Sequence, residues 1–386
     1  MSTALFDLGA RLRALDSGVP TPTAHYSPAL PINSPVAVTL TESGGTTALI
    51  ATDGQQIVEG RGPRCLGALD ELGVAMSPTH RTLVVADRST VATLGRLARA
   101  HPQATAAPVA AWWDQRADHP GSGAVMIALE AARSRWALGV APDQERDLTT
   151  WFAWLGIEGA GPTALLALAR RASEGAVLPG LLDVAGADTR SWDYHRERIE
   201  KGWDWRSHDT RAEAALGLTT RSDAADLFAS LRLGDPLVAE RAAWAGDIVP
   251  GFVRRADKGA LVIDALRPVS RLRTGSRVQG WLGGPSQTNT STHVLRSGVV
   301  SESTLRADGQ LSLTITDHTT SPHPFTVGSL VCLRPASVDA RQQARGRSLM
   351  NTRHRKTGNW LAGRGAPSPL RTDVPLDVIL AAAGDE

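Results

Sequence analysis

The sequence predicts a multidomain protein: an α/β domain, an all-α middle and an all-β C-terminal module that is a small barrel or sandwich. Three observations over the 386 residues lead to this fold class. Strand-like and helix-like stretches alternate over 36–140, which is typical of α/β domains. Helical periodicity dominates 141–246. Apolar and polar residues alternate over 247–338, with turn residues about every ten positions.

The first segment, residues 1–35, is predicted to be an N-terminal arm or linker. Within residues 1–16, Phe6, Leu8, Leu12 and Leu15 recur among charged residues. This pattern indicates a short amphipathic helix. It lacks the basic start and apolar block of a signal peptide. The five Pro residues of 17–35 favour an extended linker after it.

The second segment, 36–140, is predicted to be the α/β domain. Three strands are expected at "VAVTLTE", "TTALIATD" and "QQIVEG", and Asp53-Gly54 is a hairpin signal between the last two. A helix over 64–72 precedes "RTLVVAD", a buried strand, and Ser89 can cap the helix "TVATLGRLARAH" that follows. The stretch "APVAAWW" is expected to be a further strand, while "AVMIALEAARSRWALG" fits a strand or a helix.

The order of these elements over 36–115 resembles the start of an RNase H-like fold. In that family, acidic residues on the first strand, the first helix and the end of the fourth strand hold divalent metals. Glu42 and Asp87 stand at the matching ends of the first and fourth strands, and Asp114 or Asp118 could supply the last carboxylate. The resemblance implies one alternative activity, a nuclease that uses Mg²⁺ or Mn²⁺ to activate water.

The helical middle, 141–246, contains the most chemically varied stretch of the chain, "SWDYHRERIEKGWDWRSHD" over 191–209. On a helix, Trp192, His195, Ile199 and Trp203 share one face, and Gly202 can end the helix in the left-handed conformation. We therefore interpret this stretch as a packed amphipathic helix and its exit turn. The predicted helices of the segment lie at 145–156, 162–173, 190–201, 209–216, 221–231 and 235–245.

The β module, 247–338, is rich in arginine. Its strands are expected to carry basic residues on one outer face, where Trp281 could stack on a base in the manner of an OB-fold. The residues that we expect to bind nucleic acid here are Arg254, Arg271, Arg273 and Arg277.

The last segment, 339–386, is predicted to be a basic tail with a short terminal element. Between residues 341 and 371 there are seven Arg and one Lys, with no acidic residue. Such a run can neutralise phosphates, and a tryptophan within it offers a stacking face. The residues expected to bind nucleic acid in the tail are Arg345, Arg347, Arg353, Arg355, Lys356 and Trp360.

Charge divides unevenly along the chain. Residues 1–246 hold 23 basic and 28 acidic residues, and residues 247–386 hold 18 and 11, so the C-terminal part is the one that can attract polyanions. The sequence has no phosphate-binding P-loop, dinucleotide fingerprint or zinc spacing. The two Cys residues lie far apart, which favours a reducing cytoplasm, and no stretch is apolar enough for a transmembrane span.

These patterns predict a cytoplasmic nucleic-acid-binding protein that works within a larger assembly and needs no cofactor. Binding would occur through the β module and the tail, largely independently of base sequence. The metal-dependent nuclease is one alternative. A non-enzymatic interaction scaffold, with the tail meeting an acidic protein subunit, is another. DNA and RNA are both open as ligands, and no membrane contact is expected.

Overall fold

The computed structural model describes residues 3–75, 77–206, 211–257, 259–288, 290–291, 294–320 and 325–337, together with 343, 345, 346, 348, 349 and 352. The chain divides into two compact units. The first comprises Met1–Arg206 and Ala224–Val338, and the second comprises Ser207–Asp223 and Asp339–Glu386.

A five-stranded mixed sheet forms the centre of the α/β part. Its strands are β2 (Val36–Ser43), β3 (Thr46–Thr52), β4 (Ile57–Arg61), β5 (Leu83–Val85) and β6 (Val125–Ile127), in the order β4-β3-β2-β5-β6. The first three form antiparallel hairpins, and β2, β5 and β6 are parallel. The helices between the later strands supply the crossovers that parallel pairing requires.

Both faces of this sheet are buried, because alternate residues of one strand enter different cores. Val36 and Val38 pack into a core with α3 (Arg88–Ala100) and α4 (Ala107–Arg116), whereas Ala37 packs with α7 (Gly161–Ser173). The helix α2 (Arg64–Glu71) contributes to the first core, and α5 (Ala128–Arg135) and α6 (Leu148–Leu155) contribute to the second.

The stretch "APVAAWW" is a helix, α4, so the prediction of a strand there was wrong. Pro108 occupies the first turn of this helix, where a missing backbone N–H costs nothing. Trp112 and Trp113 are both buried in the first core. The stretch "AVMIALEAARSRWALG", which fitted either a strand or a helix, contains one of each, since β6 leads directly into α5.

The N-terminal segment forms part of the first unit. Its helix α1 (Thr3–Ser17) agrees with the prediction, and a short strand β1 (Thr21–Pro22) pairs with β7 (Trp136–Ala137). Ser27 is buried and donates a hydrogen bond from Oγ to the Ala172 carbonyl at 3.2 Å. The proline-rich stretch is therefore packed against the molecule instead of forming a free extended linker.

The middle segment continues after α7 with three helices. They are α8 (Leu181–Glu200), α9 (Arg211–Arg232) and α10 (Pro236–Ala245). The two helices predicted at 209–216 and 221–231 are one continuous helix. In α8, Trp192 is buried and Gly202 takes a φ of 75° just beyond the helix end, as predicted. Trp203 is 58% exposed and stacks on Arg198, so it does not join the buried face.

The β module is a closed six-stranded barrel. Its strands are β8 (Val249–Ala256), β9 (Leu261–Ala265), β10 (Arg277–Leu282), β11 (Val294–Leu305), β12 (Leu311–Thr320) and β13 (Leu330–Pro335), paired in the order β10-β11-β12-β9-β8-β13. All pairs are antiparallel. Alternate residues such as Val278, Leu313 and Leu333 fill the interior. The predicted combination of α/β and helical parts with a C-terminal β-barrel is thus observed. In the part of the chain that the structure describes, no helix is long and apolar enough to cross a bilayer.

Candidate nucleic-acid interface

The candidate interface is centred on strand β10 of the barrel. β13 pairs with one edge of β10 and β11 with the other. Gln279 on β10 lies opposite Arg334 on β13. On the other side the register shifts between Val278, opposite Gly298, and Gly280, opposite Leu295. This shift is a bulge that puts Arg296 beside Gln279.

Three arginines lie on β10 and on the strands beside it, and a fourth lies on the turn that leads into β10. Arg277 begins β10 on the same side as Gln279, because residues two apart on a strand point the same way. Arg273 belongs to the turn that leads into β10, in which its N–H bonds Ser276 Oγ at 2.9 Å. We call Arg273, Arg277, Arg296 and Arg334 the basic face. Arg273, Arg277 and Arg296 are exposed and Arg334 is half-buried.

The basic face is not neutralised locally. Among the described residues, none of its four guanidinium groups has a carboxylate within the 4.0 Å that defines an ion pair. Burial lowers the pKa of Arg334, whose only side-chain hydrogen bond in this part of the chain goes to Ser337 Oγ at 3.4 Å. Because β11 and β13 flank β10, they lie about 10 Å apart. Two unit charges at that distance in water repel by only about 0.4 kcal/mol.

The other two predicted barrel arginines carry partners. Arg271 forms an ion pair with Asp247 at 3.0 Å. Arg254 lies 3.7 Å from Asp264, which is also bound by Arg306 at 3.0 Å. The structure therefore separates the four predicted residues into two with carboxylate partners, Arg254 and Arg271, and two, Arg273 and Arg277, that have none among the described residues.

Trp281 is not available as a stacking surface. It is 3% exposed, packs with Ala239 and Ala242 of α10, and donates from Nε1 to the Gly284 carbonyl at 2.8 Å. The strand period places Trp281 on the same outer side as Arg277, and Trp281 is buried there because it packs against α10. An exposed aromatic residue does occur on the barrel at Phe252, which is 47% exposed on β8 and lies opposite Asp264 of β9.

Most of the predicted tail residues lie outside the described residues. These are Arg347, Arg353, Arg355, Lys356 and Trp360. Arg345 is described as an exposed helical residue. The chain leaves the barrel at Ser337, whose backbone N–H donates to Gln279 Oε1 at 3.0 Å. The last described residue of the barrel is thus attached to the middle of the basic face.

The two candidate metal ligands of the α/β part have other partners. Glu42, near the exposed end of β2, lies 3.4 Å from Arg96. Asp87 caps α3 and accepts from Ser89 Oγ at 2.6 Å and from the Thr90 N–H at 3.0 Å. Burial alone would raise the pKa of Asp87, but these hydrogen bonds outweigh it and lower the pKa.

The acids considered as a third ligand are also paired. Asp114 lies 3.0 Å from Arg99, and Asp118 lies 3.7 Å from Arg88. Over the residues that the structure describes, no group of three or more His, Cys, Asp or Glu side chains is placed to share a metal ion. The nuclease alternative stays a prediction.

Sequence reasoning missed Arg296 and Arg334. Each belongs to an alternating stretch whose period puts it on the outer surface, so its exposure was predictable. Arg296 lies on the strand that follows β10 along the chain, but β13, which carries Arg334, becomes a neighbour of β10 only through the closed order of the barrel.

No protein-family model matches this sequence, and no curated protein is significantly similar to it.

Proposed function

We propose that this protein binds nucleic acid through the basic face and the basic tail, by phosphate contact and largely without regard to base sequence. The observation that supports the proposal best is the basic face, whose four arginines have no carboxylate partner among the described residues. Guanidinium groups held on neighbouring strands can each bond a phosphate oxygen and release the counterions that phosphates condense.

The basic tail can contact phosphates in the same way. It follows Ser337 in the chain, and its seven Arg and one Lys between residues 341 and 371 meet no acidic residue in that stretch. Binding by barrel and tail together raises affinity, because the second contact becomes intramolecular once the first is made. We also propose that the protein binds nucleic acid as part of a larger assembly.

The strand order of the α/β sheet supports the RNase H-like resemblance. The first strand, β2, lies between the second and the fourth, and the second strand runs antiparallel to the rest. We infer an RNase H-like core on this basis. Its proposed role is to carry the binding module, since Glu42 and Asp87 are occupied by Arg96 and by the cap of α3.

We also propose that the protein is located in a reducing cytoplasm. Cys65 and Cys332 are both free and buried, and burial raises the pKa of Cys332 to about 12. Neither thiol is placed to form a disulfide within the chain, which supports a compartment where thiols remain reduced.

Fluorescence anisotropy with labelled single-stranded DNA, single-stranded RNA and duplex DNA tests the proposal. We expect binding of at least one of them, with an affinity that falls steeply as NaCl rises. Binding that ignores salt, or no binding at low salt, would refute it. Polyglutamate serves as competitor: if it binds more tightly than every nucleic acid, the scaffold with an acidic protein partner is the better account.

A further inference from the structure

A second basic site lies in the first unit, away from the strands of the basic face. It is a cavity of about 770 Å³ into which four helices each send one arginine. These are Arg11 of α1, Arg133 of α5, Arg232 at the end of α9 and Arg241 of α10. The lining also holds the carboxylates of Asp7, Glu130 and Glu145, so which guanidinium groups they neutralise decides whether the cavity can attract an anion.

The carboxylates of the cavity already have partners. Glu145, almost fully buried, accepts from both terminal nitrogens of Arg11 at 2.6 and 2.7 Å and from the Leu138 N–H at 3.0 Å. Asp7 bonds Arg241 at 2.8 Å. Glu130 is held by Arg88, at 2.9 Å from Nε and 3.2 Å from Nη2.

Two arginines are left without a carboxylate of their own. Arg133 reaches Glu145 Oε2 only at 4.0 Å, and that oxygen is the one that Arg11 binds at 2.7 Å. The side chain of Arg232 makes no hydrogen bond or ion pair among the described residues. Burial lowers its pKa, and the nearby charge of Arg241 lowers it further. The carboxylate of Asp235 accepts hydrogen bonds from the first backbone N–H groups of α10 and from the Tyr26 N–H at 2.7 Å.

We propose that this cavity binds the phosphate group of a small phosphorylated ligand, with Arg133 and Arg232 as its principal contacts. The two guanidinium groups that have no short carboxylate contact among the described residues match a phosphate monoester, which carries between about −1.5 and −2 charges at neutral pH and offers three acceptor oxygens. A lone carboxylate would leave one of the two arginines unmatched. The volume of about 770 Å³ lies within the range of small-molecule sites and can hold more than a phosphate ion.

Isothermal titration calorimetry of the full chain tests the proposal, at constant ionic strength set with NaCl. The probes are inorganic phosphate, adenosine monophosphate and adenosine. The variants are R232Q and R133Q, and the control is R171Q, which alters an exposed arginine that pairs only with Glu174 in the described structure. Circular dichroism checks that each variant is folded. If R232Q fails to fold, R133Q decides the question, because its side chain is 47% exposed and can be replaced without a buried vacancy.

The expected result is binding of phosphate and of adenosine monophosphate, weakened at least about tenfold in R232Q and R133Q and unchanged in R171Q. Tighter binding of the nucleotide than of phosphate identifies a nucleotide-like ligand, and equal binding identifies the phosphate alone. Binding of adenosine as tight as that of its monophosphate, no anion binding at millimolar concentration, or unchanged affinity in R133Q would overturn the proposal. Variants of Arg273 and Arg277 retain this binding, so its failure and the failure of nucleic-acid binding can be told apart.

Discussion

Gln279 on β10 and Arg334 on β13 lie directly opposite each other, and the Gln279 amide oxygen anchors Ser337, where the chain leaves the barrel. Gln279 is neutral, with Arg277 two positions before it on β10 and Arg334 opposite it on β13. A charge introduced at Gln279 therefore acts on both arginines.

The isosteric substitution Gln279→Glu should weaken nucleic-acid binding without unfolding the barrel. The carboxylate can still accept from the Ser337 N–H, but it adds a negative charge beside Arg277 and Arg334. We expect a loss of about three- to tenfold in affinity at low salt, corresponding to about 1 kcal/mol. Gln310→Glu, on the hairpin between β11 and β12, is the matched control. Equal losses in the two variants would show that net charge alone governs binding.

The buried carboxylate of Asp188 should be critical for stability. It is fully buried and accepts from Arg116, from Ser122 Oγ at 2.8 Å and from the Gly123 N–H at 2.8 Å. Asp188→Ala leaves the buried Arg116 guanidinium without its partner and should cost about 3–5 kcal/mol of unfolding free energy. In Glu174→Gln, which breaks an exposed pair with Arg171, the cost should stay below about 1 kcal/mol. Urea unfolding followed by circular dichroism measures both, and similar costs would refute this role of Asp188.

The two tryptophans of the segment 191–209 should differ in the same assay. Trp192 is 4% exposed and packs edge-on against Trp112 at 5.0 Å, so Trp192→Ala should cost about 3–5 kcal/mol. Trp203 is 58% exposed and contacts Arg198, so Trp203→Ala should cost no more than about 1 kcal/mol. A large destabilisation by Trp203→Ala would mean that it belongs to the core after all.

Stability should fall in mild acid because of His195. Burial lowers the pKa of this residue, with partial compensation from the Pro108 carbonyl at 3.0 Å from Nε2. The folded state therefore binds fewer protons than the unfolded state below the ordinary histidine pKa of about 6.5. Its contribution is fully present above that pH and is lost as pH falls towards the lower folded pKa. We expect His195→Gln to lose less stability than the parent between pH 7.5 and 5.5, whereas His25→Gln, at an exposed site, should follow the parent. An identical pH dependence in all three would contradict this.

Much of the fold could be predicted because local patterns decide it. The Asp53-Gly54 hairpin, the alternating strands of the barrel and the end of α8 at Gly202 each follow from a few adjacent residues. The stretch "APVAAWW" was mistaken for a strand, because a short apolar run fits a buried strand and a buried helix equally well. Trp203 does not lie on the predicted helix face, because local sequence could not show where the side chain points after the helix end. The chain turns at Gly202, and beyond it the helical period no longer places side chains.

The candidate site depended on tertiary structure more than the fold did. Arginine content pointed to the barrel, but only the fold shows that Arg254 and Arg271 meet Asp264 and Asp247. Ion pairs between residues ten or more positions apart leave no periodic signal. The cavity arginines, Arg11, Arg133, Arg232 and Arg241, belong to four different helices and gave no motif.

The tail should contribute independently of the barrel. Replacing residues 341–371 by a Gly/Ser linker of equal length removes seven Arg and one Lys. We expect the log-log salt dependence of single-strand binding to become shallower by about 0.7 for each phosphate that the tail no longer neutralises, while binding by the barrel persists. Unchanged affinity and slope would exclude the tail from the interface.

The most direct test of the central claim compares the salt dependence of nucleic-acid binding in two double variants, measured by fluorescence anisotropy. R277Q/R296Q removes two unpaired arginines of the basic face, and R254Q/R271Q removes two barrel arginines that have carboxylate partners. The account predicts that the first pair flattens the log-log slope by about 1.4 for a single strand, at about 0.7 per neutralised phosphate, and that the second pair changes it much less. Equal slopes in both variants and the parent protein would contradict the claim that the basic face binds nucleic acid.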